Sequence, residues 1–424
     1  MFYILQTTWQ LILLALGLLV FIGVSWQWPR LGVWLVIFLA PLYLLKIGNL
    51  PLTVLEALIW VLAGVWTVRK IKTGNKSLLT FLCEREEQTG ELFWPVALIL
   101  IGVFISTIFS ADLKIGFGIL KSWFLAPIIF AFILGEVFKD GGLPEIFSAL
   151  FASAAAVAAV SFVYLLFGRL TFDGRLVAVY LSPNHLAMWV TPGILAGFGL
   201  WFYVKDYWQK FLLFIVYCLL FIVLYSTYSY GAWLSLAIAV IFILFYLWWL
   251  KLINQRYLFQ VSCFMFFVFA LVFFLQLYGS HGEKLMNLLS SPRSSWQSRL
   301  MVWQAAIKIL KDYWLAGVGP GLFQPYYLAY QQYFSTPYLE WAVPQPHNLF
   351  LAFWLQAGLL GLAGFLWLIV NFFKRTFNFL AETKSPLAVF LAAVMIYFLI
   401  HGLVDATFWK NDLALIFWVI VLSL

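Results

Sequence analysis

The sequence predicts an all-α fold: a polytopic transmembrane helical bundle of about 12–13 spans with one large outward-facing, partly helical loop. Three observations predict it. The chain is 65% hydrophobic and only 10% charged, with a mean hydropathy of +0.98, whereas soluble domains are about a quarter charged. Apolar runs of about 17 or more residues recur along the whole length, each long enough to cross a bilayer. The 22 Trp and 20 Tyr suit helix ends at the lipid headgroup level.

Taken in order, spans are expected near residues 5–26, 31–46, 51–68, 93–109, 117–138, 144–167, 185–203, 209–227, 230–250, 258–278, 347–373, 386–402 and 407–424. The first lacks a basic leader and a small-residue cleavage site, so it reads as a retained span and not as a signal peptide. The segment 31–46 is the weakest, being short and holding Pro41. Residues 1–278 thus form an N-terminal bundle of about ten spans. Residues 279–346 form the polar loop, and residues 347–424 form the C-terminal spans. No internal repeat recurs at a fixed period.

Orientation follows from Lys and Arg. Arg69, Lys70, Lys72, Lys76 and Arg85 crowd one connection, which is therefore expected in the cytoplasm. Alternation puts Lys139, Lys205, Lys210, Lys251, Arg256, Lys374, Arg375 and Lys384 on the same side. The polar loop and the connection from Gly168 to Asn184 then face outward. Arg30 and Lys46 leave the side of the N-terminus open. The net charge of +8 reports topology and contact with anionic membrane lipid, not nucleic acid. Cys83, Cys218 and Cys263 lack metal-ligand spacing and read as plain thiols.

The loop carries its own helix. Ser294-Ser295-Trp296-Gln297 has the form of a capping box. Leu300, Trp303, Ile307, Leu310 and Trp314 then recur at alternating spacings of three and four, an apolar stripe on an amphipathic helix over 295–314. The helix stops at Gly317. Gly317-x-Gly319-x-Gly321 lacks a preceding strand and a following Lys-Ser/Thr, so it reads as a tight turn and not as a nucleotide loop.

Ionisable groups are expensive inside hydrocarbon, so those near the outer rim are the candidates for chemistry. His347 follows Pro344 and Pro346 and is expected in the first turn of a span, where unpaired N–H groups favour a neutral ring able to take a proton. Arg299, in the amphipathic helix, can meet phosphate oxygens with its two-pronged guanidinium. Arg175 and Lys121 are further outer-side cations, with Asp173 a simple partner for the former. His401 and Asp405 stand four apart on one helix face, so Asp405 could orient the His401 imidazole. His185 opens a span after Pro183-Asn184.

Together these motifs resemble the O-antigen ligase family. They run Arg299-x-x-x-Trp303, Gly317-Val318-Gly319-Pro320-Gly321-Leu322-Phe323, His347-Asn348-x-x-Leu351 and Ala357-Gly358-Leu359-Leu360-Gly361. The family groups O-antigen ligases, O-antigen polymerases and pilin O-oligosaccharyltransferases. The motif core covers about residues 226–373, and Arg175 with Pro183-Asn184-His185-Leu186-Ala187 is similar to a further family segment. The resemblance implies transfer of a glycan from an undecaprenyl diphosphate lipid to a hydroxyl of a glycolipid, glycan or protein. The reaction would run at the outer face of a bacterial cytoplasmic membrane with neither metal nor cofactor. It implies that His347 activates the acceptor hydroxyl and that Arg299 binds diphosphate. Arg175, Lys121, Asn348, Tyr230, His401 and Asp405 are then expected around the substrates. Two positions depart from the family: Tyr230 stands in Ser229-Tyr230-Gly231 where Ser-Arg-Gly is usual, and Gln356 stands where Glu is common. Arg175 or Lys121 could supply the missing cation. The rival readings are a small-anion transporter of the bicarbonate type and a non-catalytic component of a polysaccharide assembly complex.

Overall fold

The structure, a computed structural model, describes residues 3–73, 86–278, 295–333 and 341–424. The expected roles of Cys83, Lys76, Arg85 and the Ser294 cap lie outside the described residues.

Every expected span contains an α-helix. The described helices are α1 (Thr8–Gln27), α2 (Pro29–Phe38), α3 (Val54–Lys72), α4 (Glu86–Ile108), α5 (Leu113–Val137) and α6 (Leu143–Leu166). Then come α7 (Pro183–Leu200), α8 (Tyr207–Ser226), α9 (Tyr230–Trp249), α10 (Gln255–Tyr278), α11 (Ser295–Tyr313) and α12 (Phe323–Tyr330). The chain closes with α13 (Leu349–Thr383), α14 (Pro386–His401) and α15 (Asn411–Val421). Among the described residues, eight helices are long and apolar enough to cross a membrane. The chain is a multi-pass membrane protein.

Five expected spans fall outside those eight, and three of them have an identifiable cause. α2 is only 10 residues long. Pro41 removes an N–H donor and ends regular helix there, so the 31–46 crossing is completed by a 3-10 turn (Ala40–Leu44) and a short strand. That strand, β2 (Leu45–Ile47), pairs in parallel with β1 (Tyr3–Leu5). α14 and α15 have 16 and 11 residues and are almost wholly buried among other helices, where a full bilayer length is not required.

Helix direction sorts the connections into two ends. Lys70 at the end of α3 binds Glu136 at the end of α5, 2.9 Å apart. Lys374 within α13 binds Glu91 at the start of α4, 2.6 Å apart. The Lys- and Arg-rich connections thus share one end, as the alternation requires. The other end gathers the starts of α3, α5, α7, α9, α13 and α15. Residues 3–5 lie at this second end, because β1 pairs with the strand leading into α3.

The most extensive helix contact is between α4 and α13. It needs Gly102 and Gly361, since a Cβ on Gly102 would collide with the Gly361 backbone nitrogen. α13 is broken at Gly358, whose φ of 68° and ψ of −177° are not helical. The break frees backbone groups in the apolar interior, and each must find a partner. The polar loop provides them: Val318 N–H donates to the Leu355 carbonyl (2.6 Å), and Leu359 N–H donates to the Leu315 carbonyl (2.9 Å). Gly317, Gly319 and Gly321 all have positive φ, and a Cβ on Gly317 would strike the Leu355 carbonyl. The glycine-rich run is therefore a tight turn that seats the loop against the break in α13.

Candidate active site

α11 ties the site together. Its buried face is Val302, Ala305, Ala306, Ile309 and Leu310. The expected stripe through Ile307 and Trp314 is corrected: both are about half exposed, and the buried face runs through Ala305 and Ala306 instead. Arg299 and Trp303, four apart, share one helix face. Trp303 Nε1–H donates to the His347 carbonyl (3.3 Å), and Arg299 Nε–H donates to the Val404 carbonyl (2.9 Å). The R-x-x-x-W spacing thus anchors both strands of the site from a single helix. Arg299 Nη1 also binds the Ser295 hydroxyl (2.5 Å), while Nη2 has no protein partner among the described residues.

His347 is not in the first turn as expected. Asn348 is the N-cap of α13, and its Oδ1 accepts from the N–H groups of Phe350 and Leu351, both at 3.0 Å. Asn348 Nδ2 donates to the Leu403 carbonyl (3.0 Å), so this side chain shapes the site through the backbone. His347 precedes the cap with a φ of 49°, an uncommon conformation for a non-glycine residue and one found at functional sites. That conformation sets its Nδ1 3.3 Å from Asp405 Oδ1. The His347 side chain is 33% exposed and that of Asp405 is 10% exposed.

Asp405 is saturated with donors. Oδ1 also accepts from Ala406 N–H (2.8 Å), and Oδ2 accepts from Asn184 Nδ2–H (2.8 Å). Burial pushes its carboxyl up, but His347, His401 and Arg299 outweigh this and hold it well below the usual carboxylate range. Asp405 therefore orients His347, and not His401 as the four-residue spacing suggested. His401 is buried and faces the Tyr397 hydroxyl, with Nδ1 2.9 Å from it.

Asn184, in the first turn of α7, passes the chain of hydrogen bonds onward. Its Oδ1 accepts from Arg175 Nη2–H (2.8 Å), and Arg175 Nε–H donates to the Thr227 carbonyl (2.8 Å). Arg175 is thereby held against the turn that leads into Tyr230. Burial lowers its guanidinium from the ordinary value; Asp173 opposes that, Arg299 adds to it, and Tyr230 and Asp405 oppose it. Two guanidinium groups that repel one another at a half-open site favour an anion between them.

Lys121 does not join this group. Its ammonium binds Glu56 Oε1 (3.1 Å) and the Pro51 carbonyl (2.5 Å), because Glu56 is buried and needs a countercharge. Lys410 is nearer: burial lowers its ammonium, while Asp412 and Asp405 raise it. Gln356 also has a structural role, accepting from Gly321 N–H (2.8 Å) and donating to Gln345 Oε1 (2.6 Å).

A second pair lies beside the first. His185 Nε2 is 2.9 Å from Asp412 Oδ2, and its Nδ1 is 3.3 Å from the Tyr43 hydroxyl, with both members of the pair fully buried. Asn184 and His185 are consecutive, so the first turn of α7 is tethered twice to the segment 405–412. The sequence argument missed Asn184 as a functional residue. The available signal was its place after Pro183 at a helix start, directly beside another polar residue.

The arrangement suits one chemistry: a ring fixed by a carboxylate at Nδ1, leaving Nε2 to take a proton, beside two cations able to receive an anion. A family model described as O-antigen ligase matches residues 215–366, which include Tyr230, Arg299, His347 and Gln356. No curated protein matches the chain.

Proposed function

We propose, from the match of residues 215–366 to a family model described as O-antigen ligase, that the chain transfers a lipid-diphosphate-linked glycan to an acceptor hydroxyl, with His347 as general base. The family supports a glycosyltransferase-type role in polysaccharide assembly at a membrane. The finer reading rests on the pairing of His347 with Asp405 beside Arg299 and Arg175.

In this reading, His347 Nε2 takes the proton of the acceptor hydroxyl as its oxygen attacks the anomeric carbon of the donor. A new glycosidic bond forms and the bond from that carbon to the diphosphate oxygen breaks. The electron pair leaves with the undecaprenyl-type diphosphate. Asp405 keeps Nδ1–H in place and stabilises the imidazolium that forms. Arg299 Nη2 and the Arg175 guanidinium receive the charge that grows on the leaving diphosphate. The ring later returns its proton to solvent or to the released diphosphate.

The site end of the bundle is read as the outer, periplasmic face of a bacterial inner membrane, because the Lys- and Arg-rich connections share the other end. The acceptor is a hydroxyl of a glycolipid, a growing glycan or a protein.

The test uses the full chain in proteoliposomes with an undecaprenyl-diphosphate-linked glycan and a glycolipid acceptor. Wild-type protein is expected to form the glycosylated product and free lipid diphosphate in equal amounts. Diphosphate release without any acceptor dependence, or no turnover with glycolipid, glycan and protein acceptors alike, overturns the proposal.

A further inference from the structure

At the end of the bundle opposite His347 lies a cavity of about 500 Å³ lined by Arg30, Trp66, Arg69, Lys70, Thr73 and Glu136, among others. It forms where α1, α3 and α5 end and α2 begins. Among the described residues that line it, three cations, Arg30, Arg69 and Lys70, face one carboxylate, Glu136. Glu136 is nearly buried and bonded to Lys70 (2.9 Å). Arg69 donates from Nη1 to the Trp26 carbonyl (2.8 Å), a neutral partner that leaves its charge in place. Among the described residues, Arg30 meets a carboxylate only at 3.5 Å, on Glu145, and both side chains are about half exposed. Lys72 stands over the Trp26 ring, 5.0 Å from its centroid.

The surroundings indicate what brings the countercharge. Trp26 and Trp28 are exposed at the same level, as in the aromatic belt at a lipid headgroup layer. α1 buries only Phe21 and Ser25, and its exposed Leu13, Leu16, Leu19 and Val20 present apolar surface running away from the cavity.

We propose that this cavity binds the phosphate of an anionic phospholipid headgroup, with Arg30 and Arg69 on its oxygens and the acyl chains along α1. Guanidinium forks match phosphate oxygens, and basic pockets between helix ends recognise such headgroups. The site is separate from the transfer site and does not depend on the reading of it.

The experiment follows thermal unfolding of the full chain in a neutral-headgroup detergent. Phosphatidylglycerol, phosphatidylcholine or inorganic phosphate is added. Three proteins are compared: wild type, the double variant Arg30→Gln with Arg69→Gln, and a control double variant, Lys205→Gln with Lys210→Gln, which removes cations of the same end outside the cavity. Phosphatidylglycerol is expected to raise the wild-type midpoint by about 3 °C or more through ligand linkage. Phosphatidylcholine should not, the arginine variant should lose most of the rise, and the lysine control should keep it. Where the arginine double variant does not fold, Arg30→Gln alone should lose at least half. An arginine-dependent rise with inorganic phosphate alone supports the phosphate site and assigns it to a soluble phosphate. Absence of a rise with either, a rise kept by the arginine variant, or an equal loss in the lysine control overturns the proposal.

Discussion

Asn184 and Asp405 are joined by a 2.8 Å hydrogen bond across 221 residues of sequence, and through it the Arg175 guanidinium is coupled to the His347 imidazole. The coupling makes Asn184 a positioning residue: it touches neither end of the reaction but holds the carboxylate that holds the base.

Asn184→Ala should therefore slow transfer by about 10- to 100-fold, on the scale of one buried hydrogen-bonding group left unsatisfied. KM for donor should change little. Single-turnover rates in proteoliposomes separate the two. A rise in donor KM with an unchanged maximal rate would assign Asn184 to binding instead.

Arg299→Lys should reduce transfer by about 100-fold, since a point charge cannot hold Val404 and also present a free prong to a phosphate. Steady-state rates over a range of donor concentration check this. Wild-type rates with lysine would mean that a general positive field is enough.

Arg175→Ala and Lys121→Ala should part company. Arg175→Ala should slow transfer by about 2–4 kcal/mol of transition-state stabilisation. Tyr230→Arg, placing a guanidinium where Arg175 already feels the Tyr230 side chain, should recover part of that rate. Lys121→Ala should instead lower stability by about 1–2 kcal/mol, discounted for partial exposure, because it deprives buried Glu56 of its ion pair. Activity per folded molecule should stay near wild type. Equal loss of specific activity in both variants contradicts this division.

Stability should depend on pH through Asp405. Its folded value lies below the ordinary value of 3.8, so its contribution is present above about pH 4 and is lost as pH falls through the folded value. Asp405→Asn should lower the unfolding midpoint at pH 6, and the gap to wild type should narrow at pH 3. A gap of the same size at both values would mean that the carboxylate's charge is not what matters.

The helical class and the places of eight membrane-crossing helices were legible because apolar run length is a one-dimensional property. So was the tight turn at Gly317, since no other residue tolerates that crowding with positive φ. Partner choice was not legible. The four-residue spacing paired Asp405 with His401, yet the regular helix ends at His401 and the carboxylate turns toward His347. Lys121 read as an outer cation because nothing in the sequence shows that Glu56, 65 positions earlier, lies beside it. Asn184 carried only a local signal, its place after Pro183 at a helix start, because the partners that define its role lie on distant segments.

The central claim is that His347 and Asp405 act as one unit, with the histidine as base. The most direct measurement is the transfer rate of His347→Ala, of Asp405→Asn and of the two combined, in proteoliposomes at matched protein content. His347→Ala should abolish transfer and Asp405→Asn should slow it by about 10³-fold or more, with the double variant no slower than His347→Ala alone, the non-additivity of residues acting together. Normal transfer by a folded His347→Ala protein, or losses that simply multiply in the double variant, would contradict the account.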